Sequence, residues 1–366
     1  MQRLPGLDLL RAIAIVWVML FHSWMIGGIG GPLQTVADYG WMGVDLFFVL
    51  SGYLIGCQLL EPLGRGEPLH FGAFYLRRAF RILPVFLVVL AIYLLFPAWR
   101  EAPGMQPAWQ FLTFTVNLLI DYQHNQAFSH AWSLCVEEHF YLLFPLLAWW
   151  LARRSSRALV IGFAVLVVAT GMLLRGHAVL HGKAWLESVY YPTWTRLDGL
   201  LAGAMLATIQ AYRPRWWAGM QQRAGALVIA GGLLAAAAIW LFHDKTGFAA
   251  SVFGFPLLAL ALALLVAGGA GATRGPARWR IPGAGWLAGV SYSLYLSHKL
   301  ALHAVHDALL RWPAVHGFAA FALYALAIAA TGALLHYAVE RPFLRLRTRV
   351  VRVGSRGAIE TQAASA

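Results

Sequence analysis

The stretch Leu7–Ile26, LDLLRAIAIVWVMLFHSWMI, holds only three ionisable side chains, Asp8, Arg11 and His22, in an otherwise apolar run. As a helix, twenty residues rise about 30 Å, the thickness of a hydrocarbon core. The run carries Arg11 inside it and lacks a small-residue cleavage site. It is therefore expected to stay as a first span, 8–27, and not to be removed as a leader.

Working outward, comparable runs recur at 40–60, 81–97, 132–152, 158–174, 193–211, 224–242, 249–269, 285–310 and 316–339. With 60% hydrophobic and 12% charged residues among 366, the chain is too apolar for an ordinary soluble domain. The expectation is an all-α, polytopic integral membrane protein of about ten transmembrane helices. Ten is an even number, so both termini share one side of the lipid bilayer. Residues 99–131 break the pattern: Trp109–Ile120 is apolar but short, and Pro103, Pro107 and Asp121 flank it, so an interfacial or re-entrant element is expected.

Loop charges choose the side. Arg3; Arg65, Arg77, Arg78 and Arg81; Arg153, Arg154 and Arg157; Arg213, Arg215 and Arg223; Arg274, Arg278 and Arg280; and Arg341, Arg345, Arg347, Arg349, Arg352 and Arg356 fall on one face. The opposite loops hold Arg100, Arg175, Lys183, Lys245 and Arg311. By the positive-inside rule the first face, with both termini, is cytoplasmic. The net charge of +13 is thus topological, and no continuous basic face for nucleic acid is expected. Cys57 and Cys135 fall in different spans at opposite depths, beyond disulfide reach. Residues 1–342 read as one membrane domain, and 343–366 as a basic cytoplasmic tail with a disordered polar end.

Ionisable groups inside spans are costly unless paired or hydrated, which makes each a functional candidate. Arg11 and His22 lie eleven residues apart, within about 20° of one face and about 16 Å along the axis. Asp45 and Glu137, counted from their span ends, reach the depth of His22. A carboxylate there would orient one imidazole nitrogen and leave the other for proton transfer or nucleophilic attack. A structural ion pair is the plain alternative. Glu138 and His139 follow, but H-E-x-x-H is absent and no metal is expected. Arg78 and Arg81, in YLRRAFRILP, share a face at the membrane surface and suit phosphate, although loop charge alone explains such arginines. Arg196 and Asp198, in TWTRLDGLLAG, and Lys299, in SYSLYLSHKLALH, fall within spans and have mutual pairing as their structural reading. Ser51, in VLSGY, loosely matches a nucleophile elbow, but Val49 replaces the first glycine. GGIGG at Gly27–Gly31 lacks the strand–helix context of a dinucleotide site.

Together, Arg11 with His22, GVDLFFVLSGYLI, the RRAFR cluster, WSLCVEEHFYLLFP, RLDGLLAG and SYSLYLSH resemble, in order, the membrane-bound acyltransferase-3 family of bacterial O-acyltransferases. The resemblance runs from LDLLRAIAIVWVMLFH to YAVERPFLRL. It implies acyl transfer, usually acetyl, from cytoplasmic acyl-coenzyme A to a hydroxyl of an extracytoplasmic carbohydrate such as exopolysaccharide or lipopolysaccharide. It also implies a multi-pass location in the bacterial inner membrane, possible work alongside glycan-assembly proteins, and essential roles for Arg11 and His22. Arg78 and Arg81 match its RxxR signature, and Glu137 and Glu138 its acidic positions. Some relatives append a soluble SGNH-type domain, and this chain is expected to lack it. Acylation of a small molecule such as a macrolide is the alternative within the family. A proton-coupled transporter is the alternative of another class, because the same intramembrane charges suit a conduction path.

Overall fold

A computed structural model describes residues 4–154, 156–271, 281–312, 315 and 317–350. Arg3, Arg274, Arg278, Arg280, Arg352 and Arg356, and the end of the expected tail, lie outside the described residues. The chain is 82% helical, with no strand among the described residues. Its main helices are α1 (Pro5–Phe21), α2 (Gly31–Asp38), α3 (Met42–Gly64), α4 (Phe71–Leu95), α5 (Ala108–Leu112), α6 (Trp132–Arg154), α7 (Arg157–Leu180), α8 (Asp198–Tyr212), α9 (Pro214–Gln222), α10 (Ala224–Leu241), α11 (Phe255–Gly269), α12 (Ala284–Leu310) and α13 (Gly317–Leu335).

Eight helical stretches among the described residues are long and apolar enough to cross a membrane: Pro5–Ile26, Met42–Gly64, Phe71–Leu95, Ser129–Arg154, Arg157–Leu180, Ala224–Asp244, Ala250–Gly269 and Gly317–Val350. The two other expected spans are also helical. α8 has 15 residues, about 22 Å and short of a full crossing, and α12 is long but interrupted by His298, Lys299 and further polar residues.

Three boundaries move. α4 starts ten residues ahead of the expected span, because Phe71–Phe80 continues the helical pattern, so Arg77, Arg78 and Arg81 lie inside the helix and not before it. α7 continues six residues past its expected end and takes Arg175 out of the loops. The last helix continues to Val350 through a wider turn at His336–Glu340. Between residues 99 and 131 the longest helix is the five-residue α5; Phe114 and Phe128 adopt positive φ, Gln106, Gln110 and Asn117 are buried, and Asn117 donates to Thr193 at 2.8 Å.

The helices form two compact units, one within Met1–Leu69 and Ala102–Gly289, the other within His70–Glu101 and Val290–Ala366. In the first, α3 is the central element and lies against α8 at backbone contact. A Cβ on Gly52 would collide with the Leu200 carbonyl, and one on Gly203 with the Val49 carbonyl, so small residues set this spacing. α1 packs on α3 at Gly43, where a Cβ would stand 2.6 Å from the Ala14 carbonyl oxygen and 2.9 Å from Val18. α7 is the opposite kind of helix: Ile161, Val165, Leu166 and Leu173 are exposed, as a lipid-facing surface requires. In the second unit, Tyr292 on α12 donates to the Ile82 carbonyl of α4 at 2.8 Å.

Candidate functional site

α1 starts with Pro5 in its first turn and runs unbroken to Phe21, so the expected spacing of Arg11 and His22 holds. Leu7, Arg11, Ala14, Val18 and His22 recur at helical spacing, and Ala14 and Val18 are the residues that meet Gly43. Arg11 and His22 therefore share the stripe that faces α3. Both are half-buried. At His22 the helix tightens into a five-residue turn, His22–Ile26, which ends at Gly27 with φ of 89°.

His22 Nδ1 lies 2.9 Å from the Val18 carbonyl oxygen. A carbonyl oxygen only accepts, so the proton is assigned to Nδ1, and Nε2 becomes the basic nitrogen of the neutral ring. This backbone bond supplies the orientation that was expected from a carboxylate.

Both carboxylates expected near His22 have hydrogen-bond partners on other elements. α1 and α3 run antiparallel, with Gly40 against Trp17 and Phe21 and Gly43 against Ala14 and Val18. Ser51 Oγ donates to Glu137 Oε1 at 2.7 Å, so that carboxylate lies at the level of Ser51. Ser51 is eleven residues beyond Gly40, which puts it about 16 Å down the helix from the level of His22. Tyr141 completes the group, its hydroxyl donating to Glu137 Oε2 at 3.1 Å. Glu138 is half-buried on the same helix, and His139 Nδ1 meets Thr193 Oγ1 at 2.7 Å.

Asp45 is two residues from Gly43 and so points about 200° away from the α1 contact. It faces α8: Arg196 Nη2 donates to Asp45 Oδ1 at 2.9 Å. The Arg196 guanidinium is enclosed by Phe255 at 4.3 Å, Tyr190 at 4.5 Å, Trp132 at 5.4 Å and Phe48 at 6.0 Å. Asp198 pairs with Arg175 and not with Arg196: Arg175 Nη1 lies 2.7 Å from Asp198 Oδ2, Nη2 lies 3.2 Å from Oδ1, and Nη1 also reaches the Thr195 carbonyl at 2.5 Å. Arg175 is fully buried, which corrects its reading as a loop charge. Charge balance was the available signal. Asp45 and Asp198 inside spans need two cations, and Arg196 supplies one.

The first unit holds a third polar group between α3 and α8. Tyr53 donates to Gln210 Oε1 at 2.6 Å, and Gln210 Nε2 donates to Glu61 at 2.9 Å. Cys57 and Cys135 are buried free thiols. Tyr190 and Tyr191 are buried against Trp132, whereas Trp109 and Trp194 are exposed.

In the second unit, Arg81 forms an ion pair with Glu340, whose other oxygen accepts from Ser293 at 2.7 Å and meets His336 Nδ1 at 2.9 Å. Arg78 lies one turn earlier on α4. Lys299 pairs with Glu101 at 3.5 Å, and Tyr93 donates to the same carboxylate at 2.8 Å. Sequence reasoning missed Glu340 and Glu101 as partners because each is more than 190 residues from its cation. Among the described residues no three His, Cys, Asp or Glu side chains gather as a metal site.

A family model described as an acyltransferase domain matches residues 4–336. The O-acetyltransferase OatA of Staphylococcus aureus (strain NCTC 8325 / PS 47) is 33% identical over 223 residues, covering 56% of this chain and 34% of that protein. A putative O-acetyltransferase of S. aureus (strain COL) is 29% identical over 226 residues, covering 57% and 35%. The match thus spans about a third of the length of these curated relatives. No solved structure matches the chain.

Proposed function

Because the chain belongs to the acyltransferase-3 family, we propose that it moves an acyl group, usually acetyl, from cytoplasmic acyl-coenzyme A to a hydroxyl of an extracytoplasmic carbohydrate, in the bacterial inner membrane with both termini cytoplasmic. The observation that carries this reading is the α3-facing stripe of α1, with Arg11 within the helix, His22 at its C-terminal cap and the His22 ring held through Nδ1 by Val18. Their separation of about 16 Å suits an extended pantetheine arm whose phosphate end is held by arginine. Arg78 and Arg81 belong to the same donor reading as phosphate-binding groups, with Glu340 holding Arg81 in place.

In the reaction, His22 Nε2 takes the proton of the acceptor hydroxyl, the hydroxyl oxygen attacks the thioester carbonyl, and coenzyme A leaves as thiolate and collects that proton. Residues 1–342 carry this activity, and 343–366 are a basic extension. The names of the S. aureus relatives support acetyl as the first donor to try.

The test is coenzyme A release by the protein in lipid nanodiscs, with acetyl-coenzyme A and extracted surface glycans. Wild type should release it only with glycan, and His22→Asn, which keeps a donor toward Val18 but has no base, should lose at least about 10²-fold. Undiminished release by His22→Asn would refute the assignment. Acyl-histidine trapped with donor alone would replace direct transfer by a relay.

A further inference from the structure

The registers that remove Glu137 from His22 bring it to Arg11. One residue forward along α3 matches one residue back along α1, so Arg11 falls level with Phe48. Side chains lean toward the N-terminus of their own helix. In this antiparallel pair those directions carry Arg11 from the level of Phe48 toward that of Ser51.

The faces agree with the depths. Arg11 is seven residues from Val18, within about 20° of it, and Val18 touches Gly43. Ser51 is eight residues from Gly43, about 80° round, and so nearer the α1 contact than Asp45 is. Since Ser51 Oγ donates to Glu137 Oε1 at 2.7 Å, the carboxylate lies at the depth toward which Arg11 is directed. Ser51 and Tyr141 each donate to one carboxylate oxygen, and a carboxylate oxygen can accept more than one N–H or O–H.

We infer that Glu137 is a positioning residue for Arg11: anchored by the Ser51 and Tyr141 hydroxyls, it fixes the guanidinium on the α3-facing side of α1 and presents the remaining N–H groups to the acyl donor. An arginine fixed in advance loses no rotamer freedom when the donor binds. The assignment rests on the donor reading above and moves Glu137 from proton chemistry at His22 to donor binding.

Coenzyme A alone is the probe, titrated into nanodisc-held wild type, Arg11→Ala, Glu137→Gln, Glu137→Asp and the Arg11→Ala/Glu137→Gln double variant. Glu137→Gln and Arg11→Ala should each weaken binding at least tenfold. The double variant should bind within twofold of Arg11→Ala, and Glu137→Asp should recover part of the loss. In turnover, Glu137→Gln should raise the donor KM at least tenfold, with kcat within threefold and the pH profile of kcat unmoved. Wild-type affinity in Glu137→Gln, additive losses in the double variant, or a hundredfold fall in kcat at unchanged KM would each overturn the assignment. Wild type that binds no coenzyme A would instead refute the donor reading itself. Should Glu137→Gln lose its helical signal, Ser51→Ala/Tyr141→Phe strips the anchors while keeping the carboxylate, and the same weakening is expected.

Discussion

Replacing Arg175 by alanine tests whether the buried charges of the first unit are structural. The guanidinium is fully buried and makes three hydrogen bonds, two to Asp198 and one to the Thr195 carbonyl. Its removal leaves the Asp198 carboxylate, itself only 7% exposed, without its cation in a low-dielectric setting. Breaking a buried pair from one side costs about 3–5 kcal/mol, because the surviving charge keeps its desolvation penalty. At about 2–4 °C per kcal/mol for a unit of this size, the midpoint should fall by about 6–20 °C. Cys57 and Cys135 provide the assay, since both thiols are buried and react with a fluorogenic maleimide only as the helices separate. Arg175→Met/Asp198→Leu, which removes both charges and keeps volume, should restore most of the loss. A midpoint within 2 °C of wild type in Arg175→Ala would refute the argument, as would a double variant no better than the single.

Gly52→Leu should prevent assembly of the first unit, because its side chain meets the Leu200 backbone of α8; the readout is detergent-extracted monomer by size exclusion, and a normal yield would contradict the packing. Glu340→Leu should cost about 1.5–3 kcal/mol by stripping Arg81 of its carboxylate and Ser293 and His336 of their acceptor, measured by thermal loss of helical circular dichroism, whereas Ser293→Ala alone should cost about 1 kcal/mol. Asp121, in the segment between helices, is held below the usual carboxylate range by a hydrogen bond from His124. Its contribution is complete above about pH 3.9 and is lost as pH falls through the lower folded value. His124→Ala should raise the Asp121 pKa, read by carboxyl NMR titration, with little change in stability because both side chains are largely exposed.

The helical, membrane-embedded character was legible because lipid requires runs of about twenty apolar residues, and those runs cannot be hidden in a sequence. The shared face and spacing of Arg11 and His22 were legible for the same local reason: eleven residues at helical rise fix both. Partners across helices were not. Arg196 lies two residues from Asp198 yet bonds Asp45, 151 positions away, because two residues along a helix or turn face different directions. Helix ends misled in one consistent way. Arg77, Arg78, Arg81 and Arg175 marked span boundaries in a charge count, while the helices run through them and satisfy the charge at Arg81 and Arg175 by pairing.

α3 separates these roles by face. Toward α8 it carries Asp45, Gly52 and Tyr53, which meet Arg196, the Leu200 backbone and Gln210, a surface where close packing and ion pairing hold helices together. Toward α1 it carries Gly43, and on a third side, deeper, Ser51, which donates to Glu137 of α6. Substitutions on the first face should therefore lower stability and activity together. Substitutions at Ser51 or Glu137 should alter donor affinity while the thiol-detected midpoint moves little, since both are half-buried and Ser51 loses a single hydrogen bond worth about 1 kcal/mol. Measuring midpoint and coenzyme A affinity side by side for Asp45→Asn and Ser51→Ala decides the matter. A large midpoint drop with Ser51→Ala, or an unchanged one with Asp45→Asn, would mean that α3 does not divide its work in this way.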